Sequence, residues 1–345
     1  MAETNKKYSA KIKGRKNSEI EIEGEVAFEL LEAHRKGVLD EARKDMVVPG
    51  FRKGNVPDNI LMSRLNEYEV LQEAAERALN EIYTSILKDN DIDSLGNPEV
   101  SITKLARGNP LGFKMKVGVI SEIKLPDYKR IAKKVIEGKK APAEVTEGEL
   151  EDMLKQVMAM RNAGQENNEK SVAFTDEFVK SLGKFENVAD FKAKMKENIK
   201  KDREEEAHKA LRNEILKGIV ESSKLELPET AVVNEVAQMH ARFLSDLAER
   251  KTNAREYLKK LGKTEDQLKK DERESVEKTL KTRLVLDKIA IEEKITPDKE
   301  DIERNVEYLM MKNPGSDNNY MRHYVETVLS NEAVIDFLER EAQKK

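Results

Sequence analysis

From about Val188 to Ser223 the sequence keeps a helical period without a break. Its apolar positions are Phe191, Met195, Ile199, Leu211, Ile215, Ile219 and Val220. The middle of this run, KKDREEEAHK, is charged on every face. A helix of that kind has nothing to bury at its centre, so the centre is solvated and the two ends carry the packing. No single compact core accommodates such an element. With 345 residues, 38% of them charged and only 5% aromatic, the chain is expected to divide into two or three helix-rich domains.

The first part of the chain reads differently. Tyr8 to Ile12 and Glu19 to Val26 alternate apolar and polar residues, as half-buried strands do, and Asn17-Ser18 between them suits a turn. From Ala27 the period changes, with Leu30, Leu31, His34, Val38 and Ala42 at helical spacing as far as Asp45. Pro57 and Asp58 open a second, longer helix that runs through Ile60, Leu65, Leu71, Ala78 and Ile86. Two further strands follow, Glu99 to Leu105 and Gly112 to Ile120. Strand, strand, helix, loop, helix, strand, strand is the order of an α+β domain ending near Asp127.

After LPDYKRIAKKV the pattern is almost wholly helical. Thr146 with Glu149 makes a capping box before Leu150, Met153 and Leu154, and Asn162 to Ser171 is a polar loop. Pro228, Thr264 with Gln267, and Thr296-Pro297 mark further helix starts. The predicted fold class is therefore α+β: an N-terminal α+β domain followed by an elongated all-α C-terminal domain with helical arms.

Few catalytic chemistries find their residues here. The absence of cysteine excludes disulfides, thiolate zinc sites and cysteine nucleophiles, and fits a reducing compartment. His34, His208, His240 and His323 are scattered at spacings that form no metal-ligand pair. No glycine-rich phosphate loop and no serine-nucleophile elbow is present. Acidic residues fall mostly beside Lys or Arg at helical spacing, as solvated surface pairs do. No apolar run reaches the length of a membrane span, so a cytoplasmic protein without a cofactor, a metal or an enzymatic activity is expected. A net charge of −4 confines any basic, polyanion-facing surface to a local patch.

One loop has that character. In VPGFRKGNVPDNI, Gly50 and Gly54 supply backbone freedom, Pro49 and Pro57 stiffen entry and exit, and Phe51, Arg52 and Lys53 stand between them. A basic pair beside an exposed aromatic suits a surface offering phosphates and stackable groups, which describes RNA or a ribonucleoprotein. Arg35, Lys36, Arg43 and Lys44 on the preceding helix could widen the basic face. The plainer alternative has Phe51 tucked under the loop and its charges merely solvated.

The motif Gly50-Phe51-Arg52-Lys53-Gly54-Asn55-Val56-Pro57 resembles the G-F-R-x-G-x-x-P signature of trigger factor, the bacterial ribosome-associated chaperone family. LPDYK, EVTEGELEDML, FTDEFVKSLGKFENVADFKAKMKENI, LRNEILKGIVESSKLELPE and VLSNEAVIDFLER extend that resemblance over nearly the whole chain. The resemblance implies a ribosome-binding domain at 1–128, a linker with a helix at 129–170 and a helical client-binding domain at 171–345. It implies that Phe51, Arg52 and Lys53 contact the large ribosomal subunit at the exit tunnel while Gly50, Gly54 and Pro57 shape the loop. The implied activity is ATP-independent holding of nascent or unfolded polypeptides, the alternative being a holdase that works away from the ribosome. A second copy of the chain is a further expected partner, and a membrane is not. Only about a dozen residues separate the linker helix from FTDEF, where the family's FKBP-like prolyl isomerase domain would need on the order of 100. Methionine adapts to many apolar shapes, so Met239, Phe243, Met310 and Tyr324 are the expected client-binding residues, although helix-core packing is the commoner role for any one Met.

Overall fold

The structure is a computed structural model that describes residues 3–5, 7–16, 18–139, 143–163 and 175–343. They divide into two compact units that interleave along the chain. The first takes 1–124 and 224–284, the second 125–223 and 285–345.

The first unit is built on a five-stranded antiparallel sheet. Its strands are β1 (Glu3–Asn5), β2 (Tyr8–Lys16), β3 (Glu19–Val26), β4 (Glu99–Lys104) and β5 (Leu111–Gly118), in the order β1-β2-β3-β5-β4. Alternation decides its two faces. Ile20, Ile22 and Val26 on β3 and Leu111, Phe113, Met115 and Val117 on β5 are buried on one side. The other side carries a charge ladder in which Lys116 pairs with Glu19 (2.8 Å) and Lys114 with Glu21 (3.2 Å). Helices α1 (Phe28–Asp45), α2 (Asp58–Arg64) and α3 (Glu67–Asp89) join the apolar face, and Leu31, Leu61, Ala74, Ala78, Ile82 and Ile86 complete one core with the strands.

The long second helix expected from Pro57 onward is broken in two. Leu65 takes extended angles (φ −99°, ψ 147°), and the Asn66 side chain accepts the Tyr68 N–H at 3.0 Å, capping a new helix. An asparagine with local hydrogen bonds outweighs the periodicity that continues across it.

Three later helices, α8 (Glu229–Glu249), α9 (Ala254–Leu261) and the first part of α10 (Glu265–Glu292), belong to this unit as well. The start of α8 lies against β5 so closely that a Cβ on Gly118 would come within 2.8 Å of Leu95 O and Thr230 Oγ1. Thr230 N–H donates to Glu19 (3.0 Å), and Lys124 and Lys224 exchange backbone hydrogen bonds at 3.0 Å. Farther along, Val232, Val276 and Leu280 pack with Val236 and Met239. The Thr264–Gln267 capping box is formed, whereas α9, capped by Asn253, is only eight residues long, too short for its period to show in the sequence.

The second unit contains α4 (Tyr128–Glu137), α5 (Glu147–Ala163), α6 (Asp176–Leu182), α7 (Val188–Ser222), the end of α10, α11 (Lys299–Lys312) and α12 (Asn318–Gln343). Helix α7 is the solvated rod read from its sequence. Its buried residues are Phe191 near one end and Leu211, Ile215 and Ile219 near the other. The first packs with Leu154, Phe178 and Val179. The Thr146–Glu149 capping box opens α5, while most of the polar loop read at Asn162 to Ser171 lies outside the described residues. The start of α11 is capped by Asp298, which accepts from Glu300 and Asp301 N–H, rather than by Thr296-Pro297.

Helix α4 is held by Tyr128, whose hydroxyl donates to Glu293 at 2.5 Å, and by Lys129, which pairs with the same carboxylate at 2.8 Å. Lys129 first, and then the tyrosine hydroxyl, hold the Glu293 pKa below its ordinary 4.5. A depressed carboxylate stabilises the fold above its unfolded pKa and loses that contribution as pH falls through the folded one. Glu293→Gln is therefore expected to lower stability by about 1–2 kcal/mol near neutral pH. The difference from the parent should close as pH falls below the ordinary carboxylate range, as urea midpoints across pH would show.

Candidate functional site

The loop between α1 and α2 is two tight turns in succession. Phe51 N–H donates to Val48 O (3.1 Å) around Pro49-Gly50, with Gly50 at φ +89°. Asn55 N–H donates to Arg52 O (2.9 Å) around Lys53-Gly54, with Gly54 at φ +85°. A glycine at positive φ in the third position is the requirement of a type II turn, and proline favours the second. A Cβ on either glycine would touch nothing within 4 Å, so their identity is set by backbone angle and not by crowding.

Two valines anchor these turns. Val48 and Val56 are 4% and 2% exposed and belong to the core of the first unit. Arg43 Nε donates to Val56 O (3.2 Å) while its guanidinium pairs with Asp40, bracing the loop from α1. Between the anchors Phe51 is 41% exposed, and Arg52 and Lys53 are exposed beside it. Lys53 comes no closer than 4.0 Å to Asp45. Phe51 is thus not tucked under the loop. The turns carry an aromatic ring and two cations to the tip while Pro57 leads into α2.

The wider basic face is only partly present. Lys36 and Lys44 are exposed, but Arg35 is 9% exposed and forks onto Glu32 at 2.9 Å, so it belongs to the packing of α1. Arg43 is occupied with the loop backbone.

The four expected client residues fall in different places. Met239 and Phe243 lie on α8 in the first unit, Met310 and Tyr324 on α11 and α12 in the second. Met239 packs against Val232, Val276 and Leu280, and Met310 against Ile302, Val306 and Val325, both half-buried. Phe243 is half-buried, with ring centroids of His240 at 6.2 Å and Tyr257 at 5.9 Å. Tyr324 alone of the four is open, at 52%. Sequence reading did not single out the exposed Tyr308 and Tyr320. Tyr320 and Val328 stand one turn either side of Tyr324 on α12, and Tyr308 and Met311 are exposed on α11, Met311 at 76%. The i, i+4, i+8 spacing of Tyr320, Tyr324 and Val328 was the available signal. It runs beside the buried Val325 and makes the apolar stripe wider than one helix contact needs.

Among the described residues no group of three or more histidines and carboxylates is placed to hold a metal ion. Three histidines instead meet one glutamate each: His34 with Glu81 (2.9 Å), His208 with Glu339 (2.9 Å) and His240 with Glu272 (3.1 Å). Among the same residues no helix is long and apolar enough to cross a membrane.

Comparison with known proteins adds the following. The family model described as bacterial trigger factor protein matches residues 8–157, and that of the trigger factor C-terminus matches residues 187–343. A trigger factor of Carboxydothermus hydrogenoformans is 25% identical over 382 residues, covering 85% of this chain and 87% of the relative. One from Halalkalibacterium halodurans is 25% identical over 373 residues, covering 83% and 86%. One from Listeria monocytogenes is 25% identical over 382 residues, covering 84% and 88%. Each matched stretch is longer than this chain's 345 residues, so part of each relative has no counterpart here. A solved structure, described as promiscuous substrate recognition in folding and assembly activities of the trigger factor chaperone, has the same fold. It aligns over 96% of this chain and 100% of its own with a TM-score of 0.50 at 15% identity.

The division of the loop into anchors and tip is open to direct measurement. Val56→Ala should lower the unfolding free energy by about 1–2 kcal/mol, since it empties a buried position. Phe51→Ala at the tip should change it by less than about 0.5 kcal/mol in the same urea titration.

Proposed function

The chain belongs to the trigger factor family, and on that premise we propose an ATP-independent chaperone that docks on the large ribosomal subunit beside the exit tunnel and holds nascent polypeptides. The observation that carries this reading is the double turn that exposes Phe51, Arg52 and Lys53 between buried valine anchors. Cations at the tip of a stiff loop meet phosphates with little ordering cost, and an adjacent ring can stack or enter an apolar cleft. Gly50, Gly54 and Pro57 serve by shape.

In this reading residues 1–128 provide ribosome docking, 129–170 a linker, and 171–345 the client-holding helices. The protein works in the cytoplasm, where its ribosomes are. Client contact is assigned to the exposed side chains Tyr308, Met311, Tyr320 and Tyr324, with Phe243 on α8 as a secondary contact and the half-buried Met239 and Met310 as their support. Aromatic and thioether groups scattered on charged helices bind many sequences weakly while leaving the empty protein soluble. Holding proceeds here without prolyl isomerisation. Residues 158–186, between the two matched family regions, are too few for a domain that needs on the order of 100.

Replacing Phe51, Arg52 and Lys53 together by alanine should weaken ribosome binding by about 2–5 kcal/mol and flatten its salt dependence. Co-sedimentation reads this out, with circular dichroism to show that the variant is folded. Equal pelleting of both proteins would remove the docking assignment and leave a holdase that acts away from the ribosome.

Client holding is tested separately. Serine at Tyr308, Met311, Tyr320 and Tyr324 together should raise by about tenfold the protein needed to suppress aggregation of an unfolded client in light scattering. An unchanged dose–response would move the client surface elsewhere.

A further inference from the structure

Helix α4 carries its charges against the usual rules. Its ten residues, YKRIAKKVIE, put two cations and no acid in the first turn, where the helix dipole favours carboxylates. Arg130, Lys133, Lys134 and Glu137 fall within about 100° of arc and are all exposed. The opposite side packs. Ala132 is buried, and Ile131 comes within 3.0 Å of where a Cβ on Gly218 of α7 would stand. Cations at i, i+3 and i, i+4 repel and weaken a helix, and ten residues are too few to hold one by propensity alone. On other helices of the second unit such cations are given carboxylates: Lys155 meets Asp152 at 3.0 Å and Lys201 meets Glu197 at 2.8 Å. On α4, Lys129 has a partner in Glu293. Among the described residues, however, Arg130, Lys133, Lys134 and Lys139, just past the Gly138 cap, make no ion pair, not even with Glu137. A break with local rules of this kind is expected where a sequence serves function.

We infer that this face of α4 is a second polyanion contact, one that takes the phosphate backbone of double-helical RNA. The inference rests on the ribosome reading above, which is what brings RNA to the chain. Nothing on the face can stack on a base. Its side chains include no aromatic, and the one ring of the helix, Tyr128, is half-buried with its hydroxyl given to Glu293. Single strands are held largely by aromatic stacking, so a duplex, met through its phosphates and its shape, is the better occupant. A protein surface intersperses its carboxylates with cations, as this chain's own helices do, whereas a phosphate backbone offers one sign only. In a chain of net charge −4 the attraction is confined to this face and to the loop tip. The contact is indifferent to base sequence, and counterions released from the phosphates make it steeply dependent on salt.

The test uses the full chain and a fluorescein-labelled RNA duplex of about 16 base pairs, the length a duplex-binding domain spans. Fluorescence anisotropy is read between about 50 and 200 mM salt. Arg130→Gln, Lys133→Gln and Lys134→Gln together keep helix propensity and remove three charges. They should lower the affinity about tenfold or more at the low-salt end and flatten the log–log salt slope by about 3. Glu137→Gln, which removes the one anion of the face, should tighten binding about threefold. With the like charges gone, the triple variant should melt no lower than the parent in circular dichroism, which separates a binding role from a structural one. The inference is overturned if the triple variant binds the duplex as the parent does or melts lower. It is overturned too if a uridine single strand of the same length binds as tightly as the duplex. Displacement of the duplex by polyglutamate as readily as by unlabelled duplex would also overturn it and make an acidic protein the partner. Repeating the titrations with Phe51, Arg52 and Lys53 replaced by alanine removes the loop's own share. Duplex binding that ignores the α4 changes while the loop variant loses ribosome pelleting would end this inference alone, and unchanged pelleting of the loop variant would end the docking assignment.

Discussion

The contact on which the first unit depends is the seating of α8 on β5 at Gly118. Strand and helix approach there more closely than any side chain allows, and the surrounding groups are matched to that approach. Thr230 N–H finds Glu19, Ser18 and Ser121 hydroxyls both donate to Glu226 O, and Lys124 meets Lys224 through two backbone bonds. Each of these partners is a hundred or more residues from the other along the chain. Residues 125–223 are therefore an excursion that leaves the first unit and returns to it, and they fold as part of a second unit. The entropy of closing so long a loop grows only slowly with its length. A handful of hydrogen bonds around one glycine, together with Leu95, Ala231 and Leu284 in a shared apolar cluster, is of the right order to hold it closed.

Sequence reading recovered what local physics controls. The start of β2, strands β3, β4 and β5, the capping boxes at Thr146 and Thr264 and the limits of α7 follow from period and end signals and stand close to where those signals place them. By contrast, β1 and the far half of β2 carry no apolar alternation to read. It failed where a tertiary or very local hydrogen bond decided the outcome. Asn66 splits a helix that its apolar residues describe as continuous, and Arg35, charged and apparently free, is drawn into the packing of α1. The seating of α8 was invisible, because nothing in LELPE names the glycine a hundred residues earlier on which it rests. Of the loop, nearly everything was legible. Two glycines at positive φ, a proline and two apolar anchors are all within nine residues, so no distant contact is needed to shape it.

The expected client residues illustrate the opposite case. Whether a methionine on an amphipathic helix packs or protrudes depends on the width of the stripe it belongs to and on what lies across from it. Met239 and Met310 each have a partner helix and are drawn half into it. Met311, next in sequence to Met310, is turned by about 100° and has none. Chemistry alone does not separate the two.

Loop and apolar side chains also differ in how they can be strong. In the proposed function, docking at the loop would be concentrated in three side chains on a backbone already ordered by its turns, so little entropy would be lost and ionic strength would govern the affinity. On α11 and α12 the exposed rings and thioether stand on a charged surface, where in the proposed function each contact would have to order a flexible client as well as a side chain. Such contacts are individually weak and sum only when several engage together. A chaperone without an energy source needs this asymmetry. A client held as firmly as the docking loop is held would have no means of leaving, whereas many weak contacts let go one at a time as the client buries its own apolar groups.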